Sequence, residues 1–495
     1  MIFPRLRKTA RFATILCLSF MVGCSSIPIM VPDMSTRAPR QVKLEGASGP
    51  LSSKQSKAIL ARLEKSRPGA KTNIFERHLA IEEAVAGSPL VVGNKIVLLI
   101  DGPTTYDSMF AAIEQAKDHI NLETYILEDD EIGRRFADAL IKKQQSGVQV
   151  NLIYDSVGCR NTPADFFKRM ADSGIKVLEF NPINPLNARK GWYLNKRDHR
   201  KLLVVDGKVA FIGGINISSV YSSSSLGSAT KGSSSRWRGP SKSAISGSGS
   251  SSPGFKPADP PPLKPGQPWR DTHMRMEGPV VAEFQKIFME TWNKQKDEPL
   301  PQRNYFPELV AKGHDVVRAI ASSPDEPYSV IYATLLSAIK NAETYIYITN
   351  AYFVPDEQLS EALKDAAKRG VDVRLLLPGK SDFALVLHAS HSYYTDLLES
   401  DVKIYEQQEA LLHAKTALID GVWSTVGSTN LDWRSFIHNQ ELDAVILGYD
   451  FGGQMRSMFE KDLQESKPIL LQEWKKRSLL KRLKERVARL WARWL

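Results

Sequence analysis

Cysteine is scarce. Of three in 495 residues, Cys17 and Cys24 lie close to the amino terminus. Cys159 is left alone, so a disulfide framework is excluded, and it reads as a packed residue in a loop after a strand. The apolar run at the start, Phe12 to Gly23, is short of the roughly 20 residues that span a bilayer. The body also lacks excess charge. The net charge is +11, but the first 23 residues supply +4 and residues 475–495 supply +8, which leaves 24–474 at −1. A neutral body argues against a broad nucleic-acid-binding face. His388 and His391 have no cysteine or carboxylate constellation around them, so no metal site is expected.

What is present begins with Arg5, Arg7, Lys8 and Arg11 ahead of that short apolar run, the layout of an export signal. Met21-Val22-Gly23-Cys24 resembles a bacterial lipobox, with Met21 where Leu is usual. Residues 1–23 are therefore expected to be a lipoprotein-type signal and Cys24 the lipidated residue, in preference to an uncleaved anchor. Residues 24–85 read as a tether or leader.

From there the same order of features occurs twice. Helix around Ala111–Ala116, strand Ile120–Ile126, helix Gly133–Gln145 and strand Val148–Ile153 are matched by helix Leu335–Asn341, strand Thr344–Ile348, helix Leu359–Lys368 and strand Val371–Leu377. Ile175–Glu179 likewise matches Val402–Glu406. Alternating strands and helices imply α/β layers. Two copies imply halves at 86–315 and 316–470, facing each other across a pseudo-twofold axis. A Ser/Gly/Pro-rich stretch at 218–268 lacks apolar periodicity and is expected to be an unstructured insertion in the first half. A solvated linker is favoured over a lid.

Both copies converge on one pattern. His199-x-Lys201 is followed by Asp206, Gly213-Gly214 and Asn216; His413-x-Lys415 by Asp420, Gly427-Ser428 and Asn430, with identical spacing. Chance does not place two such strings at corresponding points of a repeat. Alternate side chains of a strand share a face, so each His points with its Lys. If the halves meet about a twofold axis, two imidazoles and two ammonium groups converge. A phosphodiester there meets Lys201 and Lys415 as fixed charges and Asn216 and Asn430 as hydrogen-bond donors, the preorganised arrangement that lowers barriers most. One His attacks phosphorus. The other protonates the leaving alkoxide and then deprotonates the incoming alcohol. Asp206 and Asp420 are candidates to orient the imidazoles, or else brace the fold.

The duplicated pattern resembles the signature of the phospholipase D superfamily over roughly residues 90–470. The resemblance implies two phospholipase D-like α/β/α sandwich halves with the site between them, and a phosphohistidine intermediate. His199 would be the nucleophile and His413 the general acid, with Lys201, Lys415, Asn216 and Asn430 around the phosphate and no metal or cofactor. Flanking blocks narrow the likeness to bacterial cardiolipin synthases: Arg270-Asp271-Thr-His273 after the first motif, Tyr352-Phe353-Val354-Pro355, and Asn430-Leu-Asp432-Trp-Arg434 with Asn439 and Glu441 after the second. Asp271, His273, Asn439 and Glu441 are expected to line or support the substrate pocket. Two departures stand out. Such enzymes usually begin with two transmembrane helices, and the acidic-aromatic run that often follows the first motif is here Ser218-Ser-Val-Tyr221-Ser222.

The last 21 residues read as one basic amphipathic helix, within a tail at 471–495. Leu479, Leu480, Leu483, Val487, Leu490, Trp491, Trp494 and Leu495 fall in an arc of about 160°, opposite Lys481, Arg482, Arg486, Arg489 and Arg493. This describes a helix lying on anionic lipid, favoured over one docking its apolar face on the body. The resulting expectation is a membrane-attached, periplasm-facing lipoprotein of a bacterial envelope. It transfers a phosphatidyl group to phosphatidylglycerol, with phosphatidylglycerol or phosphatidylethanolamine as donor, and binds no nucleic acid. The alternatives are a phospholipase D-type hydrolase or metal-independent nuclease using the same site, and a non-catalytic envelope scaffold. Two intact motifs disfavour the scaffold.

Overall fold

The computed structural model describes residues 43–65, 74–85, 87–187, 192–223, 267–295 and 298–494. The expected signal 1–23, Cys24 and most of the 218–268 stretch lie outside the described residues.

In the first half, seven strands lie in the order Lys176–Phe180, Gln149–Asp155, His119–Thr124, Lys201–Val205, Val209–Gly213, Thr272–Glu277 and Leu90–Ile100. In the second half the order is Lys403–Gln407, Asp372–Pro378, Tyr345–Asn350, Lys415–Ile419, Trp423–Gly427, Asn439–Leu447 and Asp315–Ser322. The topology is the same. In each half the first three strands are parallel and joined through helices, and the motif strand then runs antiparallel to them. The two edges meet: Leu90–Ile100 pairs antiparallel with Asp315–Ser322, so one sheet runs through both halves. The central strands are buried on both faces, as strands covered by helices are. Matching helices Glu131–Gln145 and Glu357–Lys368 start at matching caps, Asp130 accepting from the Gly133 N–H and Asp356 from the Leu359 N–H. On one side of the sheet, Phe284, Phe288 and Trp292 of helix Val281–Gln295 share a single apolar core with Met455, Met458 and Phe459 of helix Tyr449–Gln464. The halves are thus packed together as well as hydrogen-bonded.

Each motif strand ends in an Asp-Gly turn. Asp206 and Asp420 are left-handed, at φ 52° and 53°. Their carboxylates accept backbone N–H groups: Asp206 from Lys117, Asp118 and His119 at 2.8–3.1 Å, Asp420 from Glu343, Thr344 and Tyr345. Asp420 also meets His78 Nε2 at 3.0 Å. At about 3.3 Å per residue, these groups lie roughly 20 Å down the strand from the motif histidines. The imidazole-orienting role open to Asp206 and Asp420 is therefore corrected: both tie the turn to the start of the neighbouring strand.

The tail also differs from expectation. It forms a short helix Leu471–Trp474, a helix Leu479–Leu490 and a 3-10 turn Ala492–Trp494, not one continuous helix. Ser478 caps the second helix through the Lys481 N–H and so starts it afresh. Arg477 folds back onto Glu485 through two contacts of 3.0 and 2.8 Å. The face docked on the body is Glu485, Ala488 and Ala492, all buried, while Leu479, Leu483, Leu490 and Trp494 stand exposed.

Asp420→Ala removes the acceptor for three backbone N–H groups and His78, so a stability loss of about 3 kcal/mol is expected in denaturant titration. Turnover per folded molecule at low temperature is expected to stay within a few-fold of the unaltered protein. A collapse in turnover at undiminished stability would return Asp420 to the chemistry.

Candidate active site

The motifs are clamped to the opposite half before any side chain is considered. Arg197–Asp198 pairs parallel with Asn439–Gln440, and Trp269–Arg270 with Leu411–Leu412. The His199 N–H donates to Gln440 O at 2.9 Å, and the His413 N–H to Arg270 O at 2.8 Å. The side chains cross in the same way. His199 Nδ1 lies 3.0 and 3.1 Å from the two oxygens of Glu441. His413 Nδ1 lies 2.7 Å from Asp271 Oδ2. Each imidazole is oriented by a carboxylate from the other copy, which fixes Nδ1 and leaves Nε2 for substrate.

The ammonium groups sit beside the rings. Lys201 Nζ donates to His199 O at 2.5 Å; Lys415 Nζ donates to His413 O and lies 3.0 Å from His413 Nδ1. His199, Lys201, His413 and Lys415 are all buried. Burial pushes the Lys201 ammonium down to about 7 and the Lys415 ammonium down to about 8. Burial also takes His199 well below its usual range, helped by the charges of Lys201, Lys415 and His413, which lie within electrostatic reach of it. His413 is lowered by burial and Lys415, with Asp271 opposing. The carboxylates differ. Burial raises Asp271, but Lys415 and His413 bring it below its usual range, whereas burial leaves Glu441 raised despite Lys201.

The four residues expected in the substrate pocket separate. Asp271 and Glu441 hold the histidines. Asn439 Nδ2 donates to Glu441 Oε1 at 3.2 Å and steadies it. These three stand behind the rings, in the supporting one of the two roles expected for them. His273 is fully buried, neither ring nitrogen has a partner among the described residues, and burial lowers it to about 3. Strand pairing sets it opposite Gly213, where a Cβ would lie 2.6 Å from its Nδ1. The equivalent pair is Asp443 opposite Gly427, where a Cβ would lie 1.9 Å from Asp443 Oδ1. The glycine of each motif thus makes room for the side chain facing it.

Asn216 accepts from the Ile126 N–H and donates to the Tyr221 hydroxyl, both at 3.3 Å. Asn430 is buried with Oδ1 unpartnered among the described residues, and its N–H donates to Ser435 Oγ. Tyr221 was not foreseen. It lies in a stretch expected to be unstructured from 218 onward, yet Ser219–Tyr221 is an ordered turn capped by Ser218. Its hydroxyl is 3.1 Å from His413 Nδ1. Two further tyrosines frame the rings: Tyr125, 4.9 Å from His199 between centroids, and Tyr352, 6.2 Å from His413. Their signal was available, since each follows the strand that pairs with a motif strand. Two imidazoles presenting Nε2 and flanked by two ammonium groups can attack a phosphodiester from one side with the neutral ring and protonate its leaving group from the other with the imidazolium.

A family model described as cardiolipin synthase, PLD-like domain, matches residues 109–226 and 335–463, one copy in each half. Cardiolipin synthase 1 of Bacillus anthracis is 34% identical over 434 residues, covering 85% of this chain and 77% of its own length. The cardiolipin synthase of Listeria monocytogenes strain EGD-e is 35% identical over 408 residues, covering 82% and 76%. Among solved structures, the phosphatidylserine synthase of Haemophilus influenzae superposes with a TM-score of 0.58 over 84% of this chain and 99% of its own, at 13% identity, a likeness of fold. With the duplicated motif, the repeated topology and these relatives in agreement, the chain belongs to the cardiolipin synthase family of the phospholipase D superfamily.

Proposed function

We propose that this protein is a cardiolipin synthase, which moves a phosphatidyl group from one phospholipid onto a hydroxyl of phosphatidylglycerol. The observation that carries the reading is the crossed pair of imidazole–carboxylate contacts, His199 with Glu441 and His413 with Asp271, joined in one cleft by Lys201 and Lys415. The acceptor follows from relatives named cardiolipin synthases.

In the first step His199 Nε2 attacks phosphorus. A P–N bond forms, the P–O bond to the glycerol headgroup breaks, and His413 Nε2–H passes its proton to the departing oxygen. In the second step the acceptor hydroxyl gives its proton to His413 and displaces His199, closing the new phosphodiester. The unequal carboxylates support this division. Asp271, held anionic, stabilises an imidazolium at His413; Glu441, raised by burial, and the low proton affinity of His199 keep that ring neutral and nucleophilic. Asn216 and Asn430 stand beside the phosphate.

The enzyme is membrane-associated, as its family is. No helix among the described residues is long and apolar enough to cross a membrane. Attachment is assigned to lipid on Cys24 and to the tail helix, whose apolar side faces away from the body. Two such signals meet the requirement for stable anchoring, and the export signal sets the catalytic body on the periplasmic side.

Phosphatidylglycerol in mixed micelles is expected to yield cardiolipin and glycerol in equal amounts; phosphatidic acid as the sole lipid product would make the protein a hydrolase. His199→Ala and His413→Ala are each expected to lower the rate by about 10³-fold or more. With a phosphatidyl-p-nitrophenol substrate, whose leaving group needs no acid, His413→Ala is expected to give a single-turnover burst and a trapped phosphoenzyme, and His199→Ala neither. A burst from His199→Ala would exchange the two roles.

The lysines set the pH response. Both must be protonated to hold the phosphate, and their pKa values near 7 and 8 belong to the free protein. kcat/KM is therefore expected to fall as pH rises through 7 to 8. The limb in kcat lies higher, because a bound anion favours the ammonium forms. A flat kcat/KM profile from neutral to strongly alkaline pH would remove the lysines from phosphate binding.

A further inference from the structure

A cleft of about 460 Å³ separates the tail helix Leu479–Leu490 from the short helix Tyr394–Leu398. Its walls are basic on balance, carrying Lys475, Arg477, Arg482, Arg486 and Arg489 against the carboxylates of Asp396 and Glu485, with Ser392 and Thr395 also in the lining. Most of the charges near it are matched. Glu485 is taken by Arg477, Lys475 meets Glu399 at 2.6 Å, and Asp396 lies 3.9 Å from Arg489. Arg482 and Arg486 have no carboxylate partner among the described residues. Arg482 Nη2 donates to the Lys475 carbonyl, which steadies its guanidinium without neutralising it, and two such charges in a cleft make a fork for an oxyanion, since guanidinium geometry suits bidentate phosphate binding.

The orientation of the helix says which anion. At about 100° per residue, Arg482, Arg486, Arg489 and Arg493 occupy the flank between the docked face, Glu485, Ala488 and Ala492, and the exposed apolar face centred on Leu483 and Trp494. A helix whose apolar face enters a bilayer sets such a flank at the level of the lipid phosphates, with long basic side chains reaching out to them. The 3-10 turn Ala492–Trp494 continues the surface: Arg493 lies 5.8 Å over the ring of Trp433. Trp433 belongs to helix Trp433–Ile437, whose Ser435 receives the N–H of Asn430 in the active site.

We propose that this cleft is a binding site for the phosphodiester headgroup of an anionic phospholipid in the bilayer under the tail, distinct from the catalytic cleft. The proposal rests on the reading of the tail as a helix lying on the membrane. A lipid held by Arg482 and Arg486 fixes the tail at the surface and, through the contact of the last turn with helix Trp433–Ile437, sets the active site against the layer that holds its substrates.

The test compares sedimentation of the full chain with vesicles of phosphatidylcholine alone and of phosphatidylcholine with phosphatidylglycerol. The unaltered protein is expected to bind the second far more tightly. Losing any two basic groups near an anionic surface costs about 30-fold in affinity from surface potential alone, and Lys481→Gln/Lys484→Gln on the other flank serves as that reference. Arg482→Gln/Arg486→Gln is expected to cost at least a further tenfold, with the melting temperature unchanged in both variants. Equal losses in the two variants overturn the cleft while leaving the tail on the membrane. Failure of the unaltered protein to bind either vesicle overturns the membrane reading of the tail, and the cleft with it. Calorimetry with inorganic phosphate is expected to show no binding that Arg482→Gln/Arg486→Gln removes, whatever phosphate the catalytic cleft takes up. Saturable binding lost in Arg482→Gln/Arg486→Gln would make this a site for soluble anions and overturn the lipid assignment.

Discussion

Everything in the cleft depends on one exchange: the carboxylate that orients each imidazole belongs to the other copy of the repeat. Glu441 reaches His199 and Asp271 reaches His413, so neither half by itself is a catalytic unit. The rest of the architecture keeps the exchange in register. Leu90–Ile100 and Asp315–Ser322 make one sheet of two, the short parallel bridges fix the backbone beside each histidine, and Arg270 grips Asp462 with contacts of 2.9 and 2.6 Å across the halves. A shift of one residue in either bridge would move a carboxylate to the wrong side of its strand and leave an imidazole with no anchor.

Four basic groups buried together lose hydration and repel one another, which is why the Lys201 and Lys415 ammonium groups are drawn down. Asp271 and Glu441 offset part of that cost, and a phosphodiester anion offsets the rest. A doubly substituted phosphate carrying one charge is the kind of anion such a set of groups matches. Strain of this kind is spent on transition-state charge, because the donors need no reorganisation when the reaction begins.

The repeat, the α/β class and the four motif residues were legible in the sequence, because a strand's alternation and a shared spacing are local properties. The partners of the histidines were not. His199 and Glu441 are 242 residues apart and His413 and Asp271 are 142 apart, and only the crossed bridges bring them together. Asp206 and Asp420 drew attention because they sit in the motif, yet a strand of five residues carries them away from it. The place of His273 was hidden for a related reason: its ring lies over Gly213, a placement set by strand pairing. Tyr221 was hidden at the edge of a stretch whose composition reads as unstructured. For the tail, the amphipathic arc was plain, but its outward orientation depends on two alanines and the Arg477–Glu485 pair seating the opposite face.

A duplicated site poses a chemical question that its symmetry cannot answer, since double displacement needs one nucleophile and one acid at any moment. The halves resolve it through unequal replacements at equivalent positions. Where one copy has Asp271, the other has Glu441. Asp271 faces Lys415 and His413 and stays anionic, while Glu441 is pushed toward protonation by burial and braced by Ser428 and Asn439. Where one copy has His273, neutral and unpartnered, the other has Asp443, which binds the Ser428 and Thr429 N–H groups and shapes the loop leading to Asn430. Environments that push two like groups apart assign them different roles. The backbone kept the symmetry that sets the two imidazoles alike, and the side chains behind them broke it, which is the asymmetry that the proposed division of roles between His413 and His199 uses.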